Sequence, residues 1–219
     1  MDLIEAIQER HSVRKYKDKK IEEEIRVQLD GFAEQCNEES GLHISIHYDD
    51  PEGFDSRMAH YGSFSNVNNF IVLAGKDCPD FDERCGYYGE KLVLKAQQLG
   101  LNTCWAALTY NKKMVKKLVA DGEKLCMIIA LGYGETSGVP HKSKSMDAVL
   151  ATKGNMPEWF RKGAEAALLA PTAVNQQKFK LGIIDGEPAA KVSGIGFYTK
   201  VDLGIVKYHF EIASGKKVR

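Results

Sequence analysis

The sequence has no apolar run approaching the ~20 residues of a membrane-spanning helix. Nothing at its start resembles a basic segment followed by an apolar stretch. It therefore reads as cytoplasmic, with no membrane partner. Charge of one sign is not in excess either: thirty Lys and Arg balance thirty Asp and Glu. Without a basic field there is no electrostatic footprint for nucleic acid. Cysteine is sparse, five residues at 36, 78, 85, 104 and 126 with no Cys-x-x-Cys pair, which argues for reduced thiols and against a disulfide framework or a zinc site. The six histidines show no ligand spacing. His43 and His47 fall in an alternating, strand-like run and are expected to face outward, so no metal is expected. The only glycine pairs of dinucleotide-binding type, Gly132-x-Gly134 and Gly194-x-Gly196, lack the third glycine and the downstream acid of that fingerprint.

What is present suffices for a core: 43% of the 219 residues are hydrophobic. The spacing predicts a helix over residues 1–16, with Leu3, Ile4 and Ile7 on one face, and a second over 22–36, with Ile25, Leu29 and Phe32 inward. Strands are expected at 42–48, in the apolar run 70–74, at 125–131 and at 178–184. Further helices are expected at 86–99, stopped by Gly100, at 111–119 behind an Asn111 cap, from Pro157 to about Ala170, and at 202–214. Residues 136–155 read as a connector. Helices alternating with few strands indicate an α+β structure.

Arg10-His11-Ser12-Val13-Arg14 places two arginines and a hydroxyl within five residues. On a helical turn Arg10 and Arg14 share a face, and a guanidinium fork suits a phosphate or a polarised carbonyl edge. Two pairs of segments also correspond. Residues 35–50 run beside 170–185 as helix end, polar turn, alternating strand and acidic turn. Residues 84–96 run beside 202–214, with Gly86 and Gly204 both at the third place. Such a repeat implies two related halves about a pseudo-two-fold axis, 1–150 and a shorter 151–219.

Four stretches resemble the FMN-dependent nitroreductase family. They are Arg10 to Arg14; Gly86 to Trp105, with Leu99-Gly100-Leu101 and Thr103-Cys104-Trp105; Gly132-Tyr133-Gly134-Glu135 followed by Pro140 to Lys144; and Ala170-Pro171-Thr172-Ala173-Val174-Asn175-Gln176-Gln177. Their order departs from the family. The proline-bearing turn sits in the second half, and Cys36 to Ser40 occupy its usual place. The chain thus resembles two family subunits fused and pared to a single site, as a monomer with pseudo-two-fold halves or as a homodimer.

The resemblance implies a nitroreductase-like fold, with an antiparallel central sheet flanked by helices, and FMN as cofactor. Arg10, Lys142 and Lys144 would take the phosphate, Ser12 the phosphate or ribityl chain, and Arg14 the N1–C2 carbonyl edge, with His11 in the same segment. Pro171, Thr172 and Ala173 would pack beside the ribityl and ring. Asn175 would hold that turn, and Ala106 and Ala107 would offer a close backbone. Asn66, Asn68 and Asn69 lie before a strand, in reach of the pyrimidine edge. No catalytic side chain is required, because the flavin carries the chemistry. The expected activity is electron transfer from NAD(P)H to a nitro-aromatic, quinone or similar acceptor by ping-pong turnover; the alternative is a flavin-binding or sensing protein with little turnover.

Overall fold

A computed structural model describes residues 1–151 and 156–219. Its helices, in chain order, are α1 (Leu3–Glu9), α2 (Glu23–Ser40), α3 (Arg57–Tyr61), α4 (Phe81–Gln98), α5 (Lys112–Val115), α6 (Met146–Val149), α7 (Glu158–Ala167) and α8 (Thr199–Ser214). Its strands are β1 (Leu42–His47), β2 (Asn69–Gly75), β3 (Asn102–Ala106), β4 (Lys124–Gly132), β5 (Phe179–Ile184) and β6 (Glu187–Val192). The chain forms two compact units. The first comprises Met1–Glu9, Asp82–Glu90 and Pro140–Arg219; the second comprises Arg10–Phe81 and Lys91–Val139. No helix among the described residues is long and apolar enough to cross a membrane.

The second unit is built on a four-stranded antiparallel sheet of order β1-β2-β4-β3. Every residue of β2 is buried, which explains its unbroken apolar sequence. Phe54, Phe64, Phe70 and Val72 pack there with Ile128 and Ala130 of β4. In α2 the buried residues Leu29, Ala33, Cys36 and Ser40 recur at helical spacing. The helix therefore continues to Ser40, four residues past the expected end. Gly41, at φ 66, closes it by donating its N–H to the Asn37 carbonyl. Residues 36–40 are thus helix rather than turn. His43 is exposed, but His47 is half-buried and stacks on Phe70 at 5.1 Å; burial lowers its pKa.

Residues 10–16 are not helical; α1 ends at Glu9. Ser12 bridges Thr103 in parallel, Lys15 bridges Ser65, and Tyr16 bridges Gly134 antiparallel. The Val13 N–H donates to the Thr103 carbonyl at 3.0 Å, and the buried Tyr16 hydroxyl donates to the Val13 carbonyl at 2.7 Å. The sheet edge offers these backbone groups partners at once, and Val13 and Tyr16 suit extended chain, so tertiary pairing overrides the helical spacing.

In the first unit α8 is buried on most sides, with Val201, Leu203, Ile205, Val206 and Phe210 enclosed. Gly163 of α7 admits the Phe210 ring, which a Cβ would meet at 2.7 Å. The first turns of α4 and α8 touch backbone to backbone. A Cβ on Gly86 would lie 2.0 Å from the Val201 carbonyl oxygen, and one on Gly204 would lie 2.0 Å from that of Glu83. The relation is reciprocal: each glycine faces the carbonyl three residues before the other. Around this contact Lys207 pairs with Glu83 at 2.6 Å, and Tyr87 donates to Glu211 at 2.7 Å. The fully buried His209 bonds Glu90 through Nε2 at 2.9 Å and donates Nδ1–H to the Ala166 carbonyl. Since a carbonyl only accepts, Nδ1 is the donor in that hydrogen bond.

The aligned blocks 84–96 and 202–214 are therefore two helices in symmetric contact. The other pair matches less closely, because 35–40 is helix where 170–175 is irregular turn. β5 and β6 form a hairpin through Asp185 and Gly186, both at positive φ, as a two-residue primed turn requires. Sequence reading gave the turn and the first strand but not β6, whose Pro188 and alanines carry little strand signal.

Candidate functional site

The residues singled out in the sequence gather into two clusters, one in each unit. In the second unit Arg10 follows α1 directly and is only 3% exposed. His11 is half-buried, and Ser12 and Arg14 are exposed. The Ser12 hydroxyl hydrogen-bonds the Cys104 thiol of β3, and the charges of Arg10 and Arg14 both act on that thiol. Burial pushes the Cys104 pKa up, outweighing the two cations, so the thiol stays protonated. Strand geometry, with side chains alternating, brings Arg10, Ser12 and Arg14 to one place, where a helix would have turned Ser12 away from both arginines. Gly138, at φ 78, backs onto this segment, and a Cβ there would lie 2.8 Å from that of His11. Ala106 is buried at the end of β3 and Ala107 is half-buried beside it.

The Arg14 guanidinium lies over the Phe64 ring, 6.0 Å from its centroid. The same ring walls a cleft of about 220 Å³, lined also by Pro51, Phe54, His60, Asn66 and Asn68. Asn66 sits at φ 55, a conformation asparagine tolerates. Asn69, by contrast, is structural: it is 3% exposed, accepts from Asp49 N–H at 3.1 Å and donates to the Leu131 carbonyl. The cleft was missed in the sequence. Its walls come from a short 3₁₀ turn (Pro51–Gly53) and from α3, too brief to leave a periodic pattern.

In the first unit the turn Pro171–Asn175 is fixed by side chains. The Asn175 Nδ2 donates to the Lys142 carbonyl at 2.9 Å, and the Thr172 hydroxyl accepts from Gln177 N–H at 3.0 Å. The buried Gln177 amide donates to the Lys142 carbonyl and to Asn175. The Lys144 ammonium donates to the carbonyls of Gln176 and Gln177, leaving one of its three protons for another acceptor. The Lys142 side chain is exposed. Asp202 of α8 accepts from Ala173 N–H at 2.9 Å and from the Gln176 amide at 2.7 Å. Its only sequence signal was an acid at the start of an otherwise apolar helix.

Burial raises Asp202 from 3.8 to about 6, and its two hydrogen bonds offset only part of that rise. A folded pKa above the unfolded one means the native state binds the extra proton, so its contribution to stability is lost as pH rises from about 4 to about 6. An Asp202→Asn variant should therefore gain roughly 2 kcal/mol on the wild type between pH 4 and pH 7. Urea unfolding at both values checks this; a stability difference independent of pH would contradict the assignment.

The sequence matches, over residues 2–214, a family described as "Putative TM nitroreductase", and the chain belongs to this nitroreductase family. Its relatives are oxidoreductases of a generally flavin-dependent kind. Among solved structures the chain is similar to a "putative nitroreductase" from Thermotoga maritima MSB8, at 23% identity and TM-score 0.72, covering 97% of this chain and 83% of that one. A "Putative NADH dehydrogenase/NAD(P)H nitroreductase" from Parabacteroides distasonis ATCC 8503 is 22% identical, with TM-score 0.55, covering 70% and 98%. An "FMN-dependent Nitroreductase" from Clostridium difficile R20291 is 20% identical, with TM-score 0.51, covering 61% and 88%. These likenesses establish the shared fold. No curated protein matches the sequence.

Proposed function

We propose that this protein is an FMN-dependent oxidoreductase that passes electrons from NAD(P)H to a small aromatic acceptor. The observation that carries the reading is that Arg10, Ser12 and Arg14 all act on Cys104 of β3, with the Arg14 guanidinium over the Phe64 ring that walls a cleft of about 220 Å³. A guanidinium fork matches a phosphate dianion through two parallel hydrogen bonds. Arg10 takes the phosphate, and Ser12 donates its hydroxyl to it or to the ribityl chain. His11 borders the same site. Arg14 faces the pyrimidine edge, with Phe64 beneath it, and Asn66 and Asn68 offer amide partners. Ala106 and Ala107 leave the backbone accessible. In the first unit Asn175, Lys144 and Asp202 hold the Pro171–Asn175 turn in one conformation.

FMN, when bound, would supply two-electron redox chemistry between the nicotinamide and the acceptor. The chain's own part is placement and charge. A fixed cation at Arg14 stabilises negative charge gained at that edge on reduction. Arg14→Gln should lower the flavin potential by roughly 30 mV, the two-electron equivalent of about 1.4 kcal/mol, while FMN affinity changes less. Dye-coupled reductive titration reads this, and an unaltered potential would reject the role.

The reading as a whole is tested by colour. FMN-supplemented protein should be yellow after desalting, bleach with NADH or NADPH, and recover on adding a quinone. Colour without bleaching would indicate flavin binding without turnover; colourless protein would refute the cofactor.

A further inference from the structure

A cavity of about 350 Å³ opens in the first unit where α1 meets α7 and α8. Every residue that lines it belongs to that unit. From α1 come Ile4, 39% exposed, and Ile7, 2% exposed, so the lining runs from solvent into the core. Ala166 of α7, Leu169 just after it and Ala213 of α8 complete the apolar walls. The space exists because Ala166 and Ala213 end at Cβ, while larger groups elsewhere set the spacing of their helices. Phe210 of α8 occupies the place over Gly163 of α7 and meets Phe160 edge-on at 5.3 Å. The buried His209 donates from Nδ1 to the Ala166 carbonyl at 3.1 Å. The start of α1 is fixed by reciprocal bonds, Asp2 N–H to the Glu5 carboxylate at 2.9 Å and Glu5 N–H to the Asp2 carboxylate at 2.8 Å. The walls are therefore held in place before anything binds.

Size decides the kind of occupant. The volume falls in the range of small-molecule pockets, roughly 300–1,000 Å³. Ile4 is the one large apolar side chain of the lining that is exposed, which falls far short of the roughly 800 Å² that a protein partner covers on each side. Charge narrows the class. The mouth carries Gln8, Lys162 and Glu165, all exposed. Lys162 is paired with Glu158 at 3.0 Å, and Glu165 with Arg161 at 2.7 Å. These four charges cancel along α7, so they favour neither an anion nor a cation. The Gln8 amide has no hydrogen-bond partner among the described residues, and it offers both a donor and an acceptor.

We propose that this cavity is a binding site for a small, uncharged, largely apolar molecule with one hydrogen-bonding group, of the class of aromatic amines and phenols. The apolar body lies against Ile4, Ile7, Leu169 and the two alanines, and the polar group meets the Gln8 amide at the mouth. The site shares no residue with those assigned to FMN, and it stands whether or not the chain binds a flavin.

The test is a fluorescence titration of the full chain with phenylnaphthylamine, a neutral aromatic amine that brightens in apolar surroundings. Binding should saturate at one probe per chain and be unchanged by excess FMN. Ala213→Leu, which puts a branched side chain into the cavity, should weaken it about tenfold. Gln8→Leu should weaken it about threefold, the worth of one ordinary hydrogen bond. Lys162→Gln should leave it within about twofold, because an exposed, paired charge contributes little. Gln8→Leu alters only an exposed side chain, so it reads the site even where Ala213→Leu does not fold. No saturable binding, displacement of the probe by FMN, or wild-type affinity in either Ala213→Leu or Gln8→Leu would overturn the proposal. Tighter binding of anilinonaphthalene sulfonate, lost in Lys162→Gln, would overturn the uncharged class. A dimer in sedimentation that dissociates in Ile4→Ser would mark a contact between copies of this chain and would overturn it too.

Discussion

Gly204→Ala should destabilise the protein by about 3 kcal/mol or more, at the upper end of what overpacking costs, and Gly86→Ala should do the same. The added methyl would lie 2.0 Å from a main-chain carbonyl oxygen in each case, Glu83 for one and Val201 for the other. No rotamer change relieves a clash with backbone, so the helices α4 and α8 must separate. Separation would loosen the Lys207–Glu83, Tyr87–Glu211 and His209–Glu90 contacts around the same seam. The internal control is Gly31, in an exposed stretch of α2, where a Cβ meets nothing within 4 Å. Gly31→Ala should be stabilising by about 0.5–1 kcal/mol, the ordinary helix-propensity gain. Chemical denaturation of the three variants reads both signs. If Gly204→Ala behaves like Gly31→Ala, the close helix contact is not present.

Arg10→Ala should weaken FMN binding by about 30–100-fold, since a charge-assisted pair in a buried setting is worth on the order of 2–3 kcal/mol. The effect must be specific to the phosphate. Riboflavin, which has none, should bind wild type weakly, and Arg10→Ala should change its affinity less than threefold. Fluorescence titration with each ligand separates the two. Equal loss for both would mean that Arg10 supports the fold and does not meet a phosphate; no loss for either would remove it from the site. Far-ultraviolet circular dichroism of the variant guards against misfolding.

The sheet was largely readable, because its inner strands carry the signal that burial imposes: the runs at 70–74 and 125–131 are continuous, and β2 and the end of β4 are buried throughout. Helix stops at Gly100 and caps at Asn111 were readable for local reasons, a positive φ of 79 and an Asn111 side chain accepting from Met114 N–H. Residues 10–16 were misread because a four-residue spacing of arginines speaks of a helix only when nothing else takes the backbone hydrogen bonds; here Thr103, Ser65 and Tyr133 do. The extended chain brings Ser12 and both arginines to act on the one thiol of Cys104. The site features missed, Asp202 and the cleft walls His60 and Phe64, act through tertiary contacts that no local pattern announces. The candidate connector 136–155 contains α6, and its residues 152–155 lie outside those described.

The most direct test is native mass spectrometry of the full chain after incubation with FMN and removal of excess. The predicted result is FMN retained by the protein and diminished in Arg10→Ala. A chain that carries no FMN would contradict the proposed cofactor site.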